Sequence, residues 1–166
     1  GRAELPGYVA ALNFLSDRGV VDMSQVCVSG ASYGGYLSLM FIAQRPDLFK
    51  VSIPRSPVTL WENYDTGYTE RYMGLPQFRA AAYRRGQVHY FVKGFPKERG
   101  RLVLVHGLRD ENVHFSHTTL LIERLIEAGR PYDLIVFPQE RHGVREWDAY
   151  VYQESAHLRY MLNLFD

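Results

Sequence analysis

The sequence is short of several features that would assign it to a specialised class of protein. It has one cysteine, Cys27, so no disulfide can form within the chain, which favours a reducing compartment. Its formal net charge is only +1, which gives no reason to expect nucleic acid or a membrane surface as a partner. No apolar run approaches the ~18 residues needed to cross a bilayer. We expect one globular domain over residues 1–166.

Helical and strand patterns alternate along the chain. Apolar runs typical of buried strands lie at Gln25–Ser29, Phe49–Pro54, Arg101–His106 and Tyr132–Pro138. Helical patterns lie at Val9–Arg18, Gly34–Gln44, Leu60–Tyr72, Gln77–Tyr83, Thr118–Ala128 and Trp147–Leu164. This alternation predicts an α/β fold with a parallel sheet covered by helices on both faces. In such open sheets, sites form beyond the carboxyl ends of the strands.

The segment Gly30–Gly34 lies at the first strand end and reads G-x-S-x-G around Ser32. A tight turn from strand to helix would hold this serine in a strained conformation with its hydroxyl exposed. Because such a turn brings chain segments into close contact, we expect Gly30 and Gly34 to provide room for it. Gly35 should let the helix pack closely. This context favours a nucleophilic serine over an ordinary turn.

A serine nucleophile needs a base to take its proton and an acid to orient that base. The later strand ends supply both in the order Ser, acid, His that α/β-hydrolases use. Asp110 follows the third strand, with Glu111 as an adjacent alternative, and His142 follows the fourth. The order and the positions predict a triad of Ser32, Asp110 and His142.

The remaining histidines have simpler explanations. His106 ends an apolar strand and is expected to be a hydrogen-bonded core residue. His114 and His117 form an H-x-x-H pair, but no carboxylate or cysteine at ligand spacing completes a metal site. We predict neither a metal nor an organic cofactor.

Several longer stretches are specific enough to indicate a family. They are GASYGGYLSLM, SPVTLWENYDTGYTERYMGLP, HGLRDENVHFSHT and AGRPYDLIVFPQERH. Together they resemble the catalytic domain of the prolyl oligopeptidase family, in its dipeptidyl peptidase branch, and within that the cytosolic dipeptidyl peptidase 8 and 9 group. The resemblance implies the C-terminal part of an α/β-hydrolase fold. It also implies a cytoplasmic serine peptidase that acts on peptides and whose parent protein is a homodimer.

The resemblance also assigns roles to individual residues. It implies release of N-terminal dipeptides with proline, or alanine, at the penultimate position. Ser32 would be the nucleophile, Asp110 the acid and His142 the base, while the backbone N–H of Tyr33 would be an oxyanion donor. A pocket for the proline ring would be lined by Val58, Trp61, Tyr64, Tyr68, Asn112 and Val113. Aromatic and valine surfaces suit a small apolar ring; the alternative is a cluster that only packs a loop.

Two features depart from the family pattern close to the predicted site. Ala31 stands where members usually carry Trp, and Arg55 and Ser56 replace small residues before Pro57. The departure at Ala31 loosens packing beside the nucleophile without removing a reacting group. A cation at Arg55, beside the pocket, would repel the ammonium group of a substrate.

The start of the sequence suggests a piece of a longer protein. It has no initial Met and enters a helical pattern almost at once. We therefore expect the family's first strands, its upstream oxyanion Tyr and its β-propeller to be missing, and residues 1–166 alone to have little or no peptidase activity. Two alternatives stay open: another α/β-hydrolase activity, such as an acylaminoacyl-peptidase or an esterase, and a truncated, catalytically inactive chain.

Overall fold

A computed structural model of the protein describes residues 1–163. The strands are β1 (Val26–Ala31), β2 (Phe49–Arg55), β3 (Val103–Gly107) and β4 (Asp133–Phe137). The α-helices are α1 (Leu5–Ser16), α2 (Tyr33–Gln44), α3 (Thr66–Met73), α4 (Pro76–Gly86), α5 (Ser116–Glu127) and α6 (Trp147–Leu162). Short 3-10 helices occupy Trp61–Asn63 and Val88–Gly94. The predicted end of the last helix, Leu164, lies outside the described residues.

The four strands form a single parallel sheet in the order β1-β2-β3-β4. The register pairs Ala31 with Arg55, Arg55 with Val105, and Gly107 with Phe137, so all four strands end at the same edge. The predicted strands are confirmed, with bounds that shift by one or two residues. A parallel sheet of this kind, with helices around it, is that of the predicted α/β-hydrolase fold.

Side chains on the two faces of the sheet form two separate apolar clusters. Leu104 of β3 belongs to the larger cluster, together with residues of α2 and α5. Val103 and Val105 belong to the smaller cluster, against which α6 packs. This alternation is that of a strand buried on both faces, and it confirms the prediction of helices on both sides of the sheet.

The predicted helix Leu60–Tyr72 is wrong as a continuous element. The chain leaves the 3-10 helix at Tyr64, which is extended, and α3 begins only at Thr66. The Asp65 side chain accepts a hydrogen bond from the N–H of Tyr68 at 2.9 Å and so caps α3. An aspartate in this position starts a new helix, which the apolar pattern alone does not reveal.

The last helix, α6, has one buried side and one exposed side, and the exposed side carries apolar side chains. Its buried side includes Gln153, Ala156 and His157. Its outer face carries four large side chains that are 43–73% exposed: Trp147, Val151, Leu158 and Leu162. Among residues 1–163, none of the helices combines the length and the apolar character that crossing a membrane requires.

Candidate active site

Ser32 lies in the tight turn that joins β1 to α2. Its φ of 57° is positive, which is uncommon for a residue with a side chain and indicates local backbone strain. Its N–H donates to the carbonyl oxygen of Arg55 at 2.9 Å, which ties the turn to β2. Tyr33 is the first residue of α2, so its N–H has no partner within the helix. The turn thus combines a hydroxyl with an adjacent backbone donor.

Close contacts explain two of the glycines around this turn. A Cβ on Gly30 would lie 2.5 Å from the carbonyl oxygen of Gly34, and a Cβ on Gly35 would lie 2.7 Å from that of Arg55. The expectation that Gly34 itself must lack a side chain is wrong, because a Cβ there would meet nothing within 4 Å. What the turn requires at this position is the close approach of the Gly34 backbone to Gly30.

The Asp110 carboxylate is buried beyond the end of β3 and contacts donors through both oxygens. Its Oδ1 accepts the N–H groups of Asn112 at 3.0 Å and Val113 at 2.9 Å. Its Oδ2 lies 2.8 Å from Nδ1 of His142 and 3.2 Å from Nε2 of His106. The structure therefore brings Asp110 and His142, two of the predicted triad residues, into direct contact.

Two neighbours of Asp110 were missed by the sequence analysis as parts of the site, namely Ser56 and His106. Burial on its own would raise the pKa of the Asp110 carboxyl, but His106, His142 and Ser56 together hold that pKa well below its usual range. Ser56 reaches its position through a backbone with a positive φ of 41°. Nothing in the local sequence signals this conformation, because glycine or asparagine is the usual residue there.

Glu111, the alternative acid, lies in a different environment. Its side chain is exposed, and its Oε1 lies 2.9 Å from Nη1 of Arg141. Because Glu111 is the next residue of the same turn, its longer side chain points outward, away from the buried carboxylate of Asp110. Of the two candidate acids, Asp110 is the one that contacts His142.

The loop between β4 and α6 carries His142 and is shaped by a buried glutamate. Oε2 of Glu140 accepts the N–H of Arg145 at 3.0 Å, and the Glu140 carbonyl oxygen accepts the N–H of Arg109 at 3.0 Å. These bonds fix the loop against the end of β3 and leave the His142 side chain 24% exposed. A cavity of about 190 Å³ is lined by both His142 and Ala31, so the loop faces the turn that holds Ser32. Sequence reasoning missed Glu140, since its role depends on the loop conformation.

The aromatic residues predicted to form a pocket lie together. The rings of Tyr64 and Tyr68 are 5.4 Å apart in an edge-to-face arrangement, and Trp61 stacks on Tyr68 at 6.2 Å. The Tyr64 hydroxyl donates to Oδ1 of Asn112 at 2.7 Å, which links this aromatic cluster to the turn of Asp110. Val58 and Val113 are buried in the same core. A cavity of about 400 Å³ adjoins the cluster and is lined by Tyr33, Tyr36, Trp61, Tyr68, Tyr72 and Met73.

Arg55 is not placed as expected from the sequence. Its Nη1 lies 3.5 Å from Oε1 of Glu154 on α6, and its side chain lines the cavity beside His142 and not the one beside the aromatic cluster. The side chain leaves the end of β2 on the face that α6 covers. The predicted repulsion of a substrate ammonium group in the pocket therefore has no basis in this geometry.

His114 and His117 do not come together with further ligands. His117 is buried, and its Nδ1 accepts the N–H of Thr59 at 3.2 Å. Within residues 1–163, no group of three or more His, Cys, Asp or Glu side chains is arranged to hold a metal ion.

Comparison with known proteins gives a consistent result. The family model of the prolyl oligopeptidase family matches residues 1–166. The chain is 48% identical to human dipeptidyl peptidase 8 over 162 residues, which are 97% of this chain and 18% of that protein. It is 33% identical to dipeptidyl peptidase 4 of Bos taurus over 161 residues, 95% of this chain and 21% of that protein.

The chain thus spans about a fifth of the length of these relatives. The match over its whole length confirms the resemblance that was predicted from GASYGGYLSLM, YDTGYTERYMG and DENVHF. The chain belongs to the prolyl oligopeptidase family.

Proposed function

We propose that this protein is a serine exopeptidase that releases N-terminal dipeptides with proline, or alanine, at the penultimate position. Residues 1–166 would form part of its catalytic domain. The observation that carries the proposal is the 2.8 Å contact between Asp110 and His142 at the sheet edge where Ser32 sits in its strained turn. The dipeptidyl peptidase relatives support the same activity.

The contact supports Nε2 of His142 as the nitrogen that acts as the base. Because an ionised Asp110 accepts the proton on Nδ1, Nε2 is left as the acceptor that takes the hydroxyl proton of Ser32. Ser32 Oγ then attacks the substrate carbonyl, and the N–H of Tyr33 stabilises the oxyanion that forms. His142 returns the proton to the departing amine, and water hydrolyses the serine ester by the reverse sequence.

The aromatic cluster would provide the specificity. A proline ring is a compact apolar group without an amide hydrogen, and the faces of Tyr64, Tyr68 and Trp61 suit it. The hydrogen bond from Tyr64 to Asn112 fixes the orientation of one of these faces. Because Asn112 lies two residues after Asp110, the pocket and the acid are held in a fixed relation to each other.

A probe of serine reactivity tests the proposal most directly. The purified protein that contains the whole catalytic domain should react with a fluorophosphonate at Ser32, and the modification should vanish in Ser32→Ala, whereas residues 1–166 alone are expected to show little or no peptidase activity. The protein with the whole domain should also cleave Gly-Pro and Ala-Pro chromogenic substrates with a free amino group. Faster cleavage of N-acylated peptides would indicate an acylaminoacyl-peptidase, and faster cleavage of simple esters would indicate an esterase. Absence of any Ser32-dependent reaction would indicate an inactive chain.

We also propose that the protein forms a homodimer and acts in the cytoplasm. The outer face of α6 supports the first point, because Trp147, Val151, Leu158 and Leu162 expose apolar side chains along one side of the helix, and such surfaces are common at contacts between proteins. Trp147→Glu should lower the mass measured by sedimentation. The free thiol of Cys27 agrees with a reducing compartment, which fractionation of cells that express the tagged protein would test.

A further inference from the structure

His106, at the end of β3, has a completely buried side chain with a partner at each ring nitrogen. Its Nε2 lies 2.8 Å from the carbonyl oxygen of Val113 and 3.2 Å from Oδ2 of Asp110. Its Nδ1 lies 2.7 Å from Oγ1 of Thr118 in α5. The ring also packs edge-on against Phe115, with centroids 5.3 Å apart. The imidazole therefore has little freedom to rotate.

These partners place a proton on Nε2 of the ring. A carbonyl oxygen and an ionised carboxylate oxygen can only accept, so Nε2 must carry a proton. The Thr118 hydroxyl can donate, so Nδ1 is satisfied as an acceptor. The neutral tautomer with its proton on Nε2 thus satisfies every polar atom without placing a cation in the core.

The same carboxylate oxygen therefore faces two imidazole donors, since both His142 Nδ1 and His106 Nε2 approach Oδ2 of Asp110. Two backbone N–H groups already hold the other oxygen. We propose that His106 is a positioning residue of the triad, which fixes the rotation of the Asp110 carboxylate and shares the charge on Oδ2. This proposal rests on the proposed function, because it assigns His106 to the same site.

The contact of His106 with Asp110 should affect His142 in a definite direction. When His106 donates to Oδ2, less negative charge remains to stabilise the imidazolium form of His142. Without this donor, Asp110 would interact more strongly with His142, and the pKa of His142 would rise. The neutral base would then be available only at higher pH.

The other titratable groups near the pair do not obscure this effect. Burial lowers the pKa of His117 to about 4 and raises that of Tyr64, so both are neutral between pH 5 and 8. Glu111 is paired with Arg141, and Glu154 of α6 is paired with Arg55. His114 and His157 are separate histidines, whose signals must be told apart by assignment.

The experiment is a titration of His142 in the purified protein by nuclear magnetic resonance of ¹³C-labelled histidine, with its signal assigned by its loss in His142→Ala. His106→Met is similar in size but lacks the donor, whereas the amide of His106→Gln can still donate to Asp110. We expect the His142 pKa to rise by about half a unit or more in His106→Met and to stay close to the wild-type value in His106→Gln. The acidic limb of kcat/KM should move with it, and its plateau should fall about tenfold.

An unchanged His142 pKa in folded His106→Met would overturn the proposal, as would equal effects in His106→Met and His106→Gln. If His106→Met does not fold, His106→Asn is the second variant, because its shorter amide ends before Asp110 and should raise the pKa as well. The titration needs no turnover, so it decides the role of His106 even for a protein that cleaves no peptide. Failure of the proposed function would instead appear as the absence of Ser32-dependent turnover.

Discussion

Replacing Asp110 by asparagine separates the role of its charge from its role in packing. The side chain keeps its size, and its oxygen can still accept the N–H groups of Asn112 and Val113 that hold Oδ1. The new NH₂ group then takes the place of Oδ2. At this position it faces Nδ1 of His142 at 2.8 Å and Nε2 of His106 at 3.2 Å.

Two consequences of different size follow from this geometry. His142 can accept from the new amide only by moving its own proton to Nε2, where it blocks transfer of a proton from Ser32. In Ser-His-Asp enzymes this wrong tautomer lowers kcat about 10⁴-fold. The amide hydrogen that meets the N–H of His106 is left as an unsatisfied buried donor, which costs about 1–3 kcal/mol of stability, while the His106 N–H keeps the carbonyl oxygen of Val113 as its acceptor. We therefore expect Asp110→Asn to remain folded while losing almost all activity.

The assay compares kcat on a Gly-Pro chromogenic substrate, fluorophosphonate labelling of Ser32 and the thermal unfolding midpoint. The matched control is Glu111→Gln, which changes the neighbouring exposed carboxylate that pairs with Arg141. This control should keep kcat within about twofold, because exposed ion pairs contribute little. Normal turnover in Asp110→Asn, or its loss in Glu111→Gln, would show that the wrong carboxylate has been assigned to the triad.

Three further predictions concern the pocket, the turn and the pH dependence of stability. Tyr64→Ala should weaken cleavage after proline more than after alanine, whereas Tyr64→Phe keeps the ring face and should retain most of this preference. Equal losses of kcat/KM for both substrates in Tyr64→Ala would show that the aromatic cluster contributes only packing. Gly35→Ala should lower the free energy of unfolding by roughly 1–3 kcal/mol, because its Cβ would meet a carbonyl oxygen of β2 at 2.7 Å. Gly34→Ala should leave the free energy of unfolding nearly unchanged, because its Cβ has open space around it. Equal losses in the two variants, measured by urea unfolding, would contradict this account of the turn. The free energy of unfolding should fall as the pH is lowered from about 6.5 towards 4. Burial lowers the pKa of His89 and His117 to about 4, so the unfolded chain takes up protons on these histidines at a higher pH than the folded chain does. His89→Gln should make the decline less steep, and parallel curves for the variant and the wild type would argue against it.

The sequence predicted the parts of the molecule that depend on local pattern. The four strands, the Ser32 turn and the order of Asp110 and His142 all follow from apolar runs and from the residues at their ends. These features are local, because a buried parallel strand consists of one short apolar run and a reacting residue comes directly after it.

Other parts depend on contacts that no local pattern encodes. The break before α3 arises because the Asp65 side chain competes for the N–H of Tyr68. His106 was predicted as a core residue, and it is buried, but its contact with Asp110 depends on the turn that follows β3. The direction of Arg55 towards Glu154 depends on which side of the sheet α6 covers. These features could be recognised only after the chain had been folded.

The proposed acid and the proposed base follow strands at different positions in the sheet. Asp110 follows the interior strand β3, and its carboxylate accepts hydrogen bonds from N–H groups of its own turn. His142 follows β4, the strand at one end of the sheet. Segments at the end of a sheet open at lower free energy than its interior. If β4 and α6 open while β1, at the opposite end of the sheet, stays folded, the proposed base His142 would be displaced and Ser32 and Asp110 would stay in place. Under the proposed function, this would appear as a reversible loss of activity well below the global melting temperature. Amide hydrogen exchange in β4 would then measure the population of this partly open, inactive state. Uniform exchange across all four strands would argue against it.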